Sequence, residues 1–290
     1  MTMVSDFSNR LRAAALRVPV GRALLAESQG SGVVLAVAAQ KGGVGKTTTA
    51  VHLAAGLAAR HGRRVLLLDL DAQGHVASSM RAHMRGGADA SLSDVLLGRE
   101  ADLGRAAVAT DIDGLFVSAA DRSLGQTETA LAGKMGRELI LRRALAKVRG
   151  HYDVVVLDCP PNLGLLTLNA LSAADRVLVP CDLSILSLEG VDALRETLHT
   201  LDATFGRAPE VLGLVHTRVD RRNVKQNAAI RAAVEDRYAG WTLPVEIGVN
   251  TALSGAQLEG RTIYAADPDA RGAQDYAALA DEVALRLWAS

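Results

Sequence analysis

The sequence predicts an α/β protein: a mostly parallel, twisted sheet with helices on both faces. Three observations support this. Short apolar runs alternate with helical patterns along the chain. A glycine-rich turn and Lys-Thr-Thr directly follow the first run, and a later run ends in an acid before two prolines. At 290 residues, 49% hydrophobic and 22% charged, the chain can bury one sizeable domain and is too apolar for disorder to dominate. Residues 32–290 are assigned to that domain. Residues 1–31 are read as an extension with a short helix and a linker, because Leu11, Ala14, Ala15 and Val18 have helical spacing before Pro19 and Gly30 interrupt it.

The first strand, from Val33, empties into Lys41, Gly42, Gly43, Val44, Gly45, Lys46, Thr47 and Thr48. Glycines there leave backbone N–H groups free to converge on an anion, and a helix starting near Lys46 adds the positive end of its dipole. In this phosphate cradle Lys46 is expected on the β/γ-phosphates and the Thr47 hydroxyl on Mg²⁺. Ala50, Leu53, Ala54, Leu57 and Ala58 carry the helix on until His61 and Gly62 end it. A second strand, 64–69, brings Asp69 and Asp71 to its C-terminal end, where open α/β sheets place ligands. Asp71 is read as the functional acid, with a buried structural carboxylate as the alternative for either.

Residues 76–114 carry the weakest signal, with one short helix expected over 91–97. A strand follows at 115–119, then a long Ala/Leu/Arg helix over 127–148 that Gly133 and Gly136 are placed to break. The strand at 152–158 ends in Asp158 before Pro160 and Pro161, the arrangement by which a buried strand delivers one carboxylate to a Mg²⁺ shell. Two further strands, 176–182 and 211–217, flank a helix over 187–205.

Composition narrows the function. Aromatic residues are 3% of the chain, so the core is built from Ala, Val and Leu, and aromatic stacking on nucleic-acid bases is a poor expectation. The formal net charge is zero, so polyanion binding needs a local patch. Cys159 and Cys181 lie in separate strand-like runs without metal-ligand spacing and read as reduced core thiols of a cytoplasmic protein. No apolar run approaches the roughly 20 residues of a membrane span, and the N-terminus has no signal-peptide apolar region, so a cytosolic location is expected.

The stretch from Lys41 to Thr48, with Gln40 where the usual P-loop has its first glycine, resembles the signature of the ParA/MinD family of deviant P-loop ATPases. Residues 69–75 resemble the family's D-x-D-P-Q-G-N, with Ala72 for proline and His75 for asparagine. Residues 158–162 resemble its D-x-P-P-S, with Asn162 for serine. Asp267, Pro268, Gly272, Ala273 and Tyr276 match the family's ending before the terminal helix, so the resemblance spans about residues 33–288. It implies ATP and Mg²⁺ as cofactors, and a catalytic Lys41 that reaches across a dimer interface to the partner's nucleotide. Asp71 would lie near Mg²⁺ and the attacking water, with Thr47 and Asp158 completing the metal shell. Thr217 would line the base pocket, and Pro244 and Val245 lie where family members contact adenine.

The function so implied is a ParA/Soj-type partition ATPase. Its ATP-bound homodimer binds nonspecific double-stranded DNA, hydrolyses slowly, and is stimulated by a ParB-type centromere-binding protein, in the cytoplasm and on the nucleoid. Residues 218–237 hold six basic residues against three acidic ones. Arg218, Arg221, Arg222 and Lys225 are expected on the DNA-binding surface, with a solvated helix face as the alternative. A MinD-like membrane-associated positioning ATPase would need a basic amphipathic tail, whereas 275–290 carries Asp275, Asp281 and Glu282 against Arg286 and is repelled by anionic lipid. A nitrogenase iron-protein relative would need a cluster-binding cysteine pair that the sequence lacks.

Overall fold

The computed structural model describes residues 32–288, so the expected N-terminal helix and linker lie outside the described residues. Its strands are β1 (Val33–Val37), β2 (Val65–Asp69), β3 (Val108–Ala109), β4 (Leu115–Ser118), β5 (Val154–Asp158), β6 (Arg176–Asp182), β7 (Glu210–Val219) and β8 (Thr242–Gly248). They form one sheet in the order β3-β4-β2-β5-β1-β6-β7-β8. Every pairing is parallel except β3 with β4 at one edge. In the central strand β1, Val34 and Ala36 enter one hydrophobic core and Leu35 and Val37 the other. Burial on both faces is why a parallel strand reads as a continuous apolar run.

Helices cover both faces. On one, α1 (Lys46–His61) meets the terminal helix and α2 (His75–Met80) joins the same core, whereas α3 (Leu92–Leu97) packs into the core on the other face. Ser91 caps α3, its hydroxyl accepting the Asp94 N–H. Helices α4 (Leu124–Leu131), α5 (Ile140–Leu145), α6 (Leu165–Ala173), α7 (Ile185–Phe205), α8 (Val224–Arg237), α9 (Thr251–Glu259), α10 (Ile263–Ala266) and α11 (Arg271–Trp288) complete the chain. Leu53 and Leu57 of α1 share a core with Leu279 and Val283 of α11. The two helices cross so closely at Gly56 that a Cβ there would sit 2.7 Å from the Ala280 Cβ.

The helix expected over 127–148 is two helices. Gly136 takes a left-handed φ of 63° and a 3-10 turn, Arg137–Leu139, intervenes before α5. Strands β3 and β8 and helices α2 and α9 have no counterpart in the sequence expectations. Cys159 and Cys181 are buried free thiols.

The sheet register matters most for chemistry. Asp69 at the end of β2 lies beside Asp158 at the end of β5, which lies beside Val37 at the end of β1. Three strands therefore deliver the glycine-rich loop and two carboxylates to one edge.

Candidate nucleotide site

The loop after β1 turns on Gly43 and Gly45, with φ of 76° and 83°, a conformation that favours glycine. Gly45 is the N-cap of α1, which has no side-chain cap and no acid in its first turn. The unsatisfied N–H groups and positive dipole end of α1 are left to an anion. Lys46 is 7% exposed, and its Nζ donates to the Lys41 carbonyl at 2.9 Å. Burial lowers its pKa, against the opposing attraction of Asp158, Cys159 and Asp71. Thr47 and Thr48 follow, half-buried.

The acids at the strand ends have different surroundings. Asp158 is fully buried and neither oxygen meets a hydrogen-bond partner of good geometry. Burial, then the charge of Asp69, pushes its carboxyl well up, while the nearby Thr47 hydroxyl and Lys46 pull it down. An unsatisfied buried carboxylate is costly unless a cation reaches it, so Asp158 with Thr47 fits a hard divalent ion. Among the described residues no three His, Cys, Asp or Glu side chains gather as a metal cage. Magnesium suits such a site, because it needs only one or two carboxylates when phosphate oxygens and water fill the other positions.

Asp69 was given no functional role from sequence, with a buried structural carboxylate as the alternative reading for it. It is fully buried, accepts the backbone N–H groups of Asp71 at 3.0 Å and Val76 at 3.2 Å, and so shapes the 71–76 turn. Burial pushes its carboxyl up to about 7 against those two bonds. Asp71 is half-buried on that turn and accepts the Gln73 N–H.

Lys41 turns back onto its own chain. Its Nζ lies 2.8 and 3.0 Å from the Asp182 carboxylate and 2.9 Å from Ser184 Oγ. Asp182 also accepts the hydroxyls of Ser184 and Ser187. Burial pushes the Asp182 carboxyl up, but the bonds from Lys41, Ser184 and Ser187 hold it below the usual carboxylate range. Sequence reasoning missed all three partners. The available signal was that β6, like β2 and β5, ends in Asp.

On the other flank of the loop a cleft is lined by Gly45, Thr48, Thr217, Val249, Asn250 and Tyr276. The Thr217 hydroxyl donates to the Val44 carbonyl at 2.7 Å and so ties the end of β7 to the loop. Pro244 and Val245 do not line this cleft. Pro244 is exposed and Val245 half-buried along β8, and only the C-terminal end of β8, where Gly248 lies beside Val219, reaches the opening. Of the residues read as base contacts, Thr217 lines this cleft and Pro244 and Val245 do not.

The four basic residues expected to act together are dispersed. Arg218 bends to the loop and donates to the Gly43 carbonyl at 2.8 Å. Arg221 pairs with Asp275 of α11 at 3.1 Å. Arg222 is 89% exposed and pairs with Asp220. Lys225, exposed at the start of α8, has no ion pair or hydrogen bond among the described residues. Arg231 is neutralised by Glu246 and Arg237 by Asp192.

A family model described as an AAA domain matches residues 32–208. The chromosome partitioning protein ParA of Caulobacter vibrioides is 40% identical over 261 residues, covering 87% of this chain and 94% of that protein. The sporulation initiation inhibitor protein Soj of Bacillus subtilis is 37% identical over 255 residues, covering 87% and 98%. Among solved structures, cobyrinic acid a,c-diamide synthase from Mycobacterium smegmatis with bound ADP and magnesium is 37% identical. It superposes with a TM-score of 0.73, covering 89% of this chain and 96% of that one.

Proposed function

The chain belongs to the ParA/MinD family of P-loop ATPases, and from that premise we propose that it is a ParA/Soj-type partition ATPase whose Mg·ATP-bound homodimer holds double-stranded DNA without reading its sequence. The observation that carries the nucleotide reading is the buried Asp158 carboxylate, unpartnered at the mouth of an uncapped helix N-terminus with Lys46 beside it. Anionic phosphate and a divalent cation together satisfy every group there.

The amides of residues 42–45 and the start of α1 receive the phosphates, and Lys46 leaves the Lys41 carbonyl for the β/γ-phosphates. Thr47 and Asp158 are the residues that would hold Mg²⁺, and the bound ion would supply neutralisation of phosphate charge. Asp71, on the turn that Asp69 shapes, orients the attacking water. Lys41 leaves Asp182 and crosses to the partner's nucleotide, where its charge stabilises the transition state. On the outer surface Arg221, Arg222 and Lys225 face DNA phosphates; all three are exposed, and Arg221 is also paired with Asp275. A ParB-type centromere-binding partner would stimulate turnover and return the protein from the nucleoid to the cytoplasm.

The membrane-positioning alternative finds no basic face at the terminal helix. Asp275 is held by Arg221, Asp281 by Arg60 and His61, and Glu282 by Arg286. Sedimentation with ATP, ADP or no nucleotide, with and without DNA, tests the proposal. It expects a dimer only with ATP, and that dimer should co-sediment with unrelated duplexes equally. A monomer in ATP, or DNA binding that ignores the nucleotide, would overturn it.

A further inference from the structure

Arg218 does not behave like its basic neighbours. It is the only described non-glycine residue with positive φ, at 53°. A long side chain in the left-handed region carries backbone strain. Successive residues at this strand end fasten successive carbonyls of the glycine-rich loop. Thr217 Oγ1 donates to Val44 and Arg218 Nη1 to Gly43. Fastening the loop through its carbonyls leaves its amide N–H groups unspent.

The charge balance is equally distinct. Arg221 and Arg222 each face a carboxylate, whereas the one bond of the Arg218 side chain among the described residues goes to a neutral carbonyl. A guanidinium has five N–H donors in a fixed fork, so most of its capacity is unused. Arg218 also lines the cleft beside Gly45 and Thr48.

We propose that Arg218 is a nucleotide-clamping residue: held on the Gly43 carbonyl at the lip of the cleft, its guanidinium pairs with the phosphate chain of the bound nucleotide and does not belong to the DNA-binding surface. This rests on the nucleotide reading of the cleft. The clamp couples the end of β7 to the P-loop through the ligand, adding a positive charge beside those of Lys46 and the α1 N-terminus.

The test is isothermal titration of ATP, ADP and adenosine into wild type, Arg218→Met and Arg218→Lys. A charge-assisted bond to phosphate predicts that Arg218→Met weakens ATP and ADP binding by about ten- to a hundredfold. Adenosine affinity should stay the same, and Arg218→Lys should recover part of the loss, because it keeps the charge and loses the fork. Arg218→Gly relieves the left-handed strain while removing the side chain, so the same nucleotide loss in a variant that melts no lower than wild type separates binding from misfolding.

Unchanged ATP and ADP affinity in Arg218→Met overturns the clamp, as does an equal loss for adenosine. A fall in DNA affinity at saturating ATP as large as that of Arg222→Glu would return Arg218 to the DNA surface and also overturn it. If wild type binds no ATP, the nucleotide reading of the cleft fails first, an outcome distinct from a failure of Arg218 alone.

Discussion

Removing the Asp182 carboxylate should make ATP-driven dimerisation tighter. Lys41 cannot reach a partner's nucleotide while its ammonium is held by Asp182 and Ser184. The two side chains are 28% and 23% exposed, so the pair is better shielded than a surface ion pair but still wet. Its contribution is placed at about 1.5 kcal/mol, the low end for hydrogen bonds to charged groups. A symmetric dimer must release two such lysines, so Asp182→Ala should lower the dimer dissociation constant by about a hundredfold, the equivalent of roughly 3 kcal/mol. The sign with pH is fixed by the lowered Asp182 pKa. A depressed carboxyl contributes its pairing above the ordinary Asp value of about 4 and loses it only as pH falls below that, so the latch is fully present near neutral pH. Sedimentation velocity over a protein dilution series in ATP reads the constant directly. A wild-type constant in Asp182→Ala would refute the reasoning. So would a gain that persists in Lys41→Ala/Asp182→Ala, because the effect must pass through Lys41.

Four other outcomes are expected. Lys46→Ala should abolish tight ATP binding in calorimetry, since it deletes the buried ammonium facing the phosphates. Asp71→Ala should still dimerise in ATP but fail to release phosphate, whereas Lys41→Ala should bind ATP and lose both dimerisation and turnover; a wild-type hydrolysis rate in both variants would be fatal to these roles. Arg222→Glu with Lys225→Glu should abolish DNA binding on two unrelated duplexes in fluorescence anisotropy with the ATP dimer intact, and about six phosphate contacts per dimer, three from each chain, would give wild type a log–log salt slope of about −5.4. Asp69→Asn offers one acceptor oxygen where the carboxylate takes two backbone N–H groups, so the 71–76 turn should exchange its amides faster, with stability lower by about 1–2 kcal/mol.

What could be read from the sequence was chemistry carried by the backbone or by a local pattern. The glycines, Lys46 and Thr47 sit in an order that makes sense only as a phosphate cradle, and the run ending in Asp158 needs only strand length and burial to be recognised. Where the reading fell short, the missing information was tertiary. The partner of Lys41 is 141 residues away and becomes its neighbour only because β6 lies next to β1. Pro244 and Val245 came from the family resemblance, whereas the register of β8 on β7 decides which residues open onto the cleft. Counting charges over 218–237 gave a basic patch, but Asp275, Glu246 and Asp192 arrive from other elements and neutralise three of its members.

The limit is clearest at the strand ends. β2, β5 and β6 each finish an apolar run with an aspartate, and the strand pattern by itself does not tell Asp69, Asp158 and Asp182 apart. The fold separates them by what can reach each carboxylate. Backbone N–H groups reach Asp69, which therefore shapes a turn. No hydrogen-bond donor of good geometry satisfies Asp158, which is buried beside Lys46 and Thr47 and so is left for a cation. Lys41 reaches Asp182, whose wetter position makes the pair breakable. A carboxylate that must let go of its lysine has to sit nearer water than one that must hold a metal, since desolvation strengthens a pair as much as it penalises the lone charge. The difference in burial between Asp158 and Asp182 is thus the physical reason to expect binding of one and switching of the other.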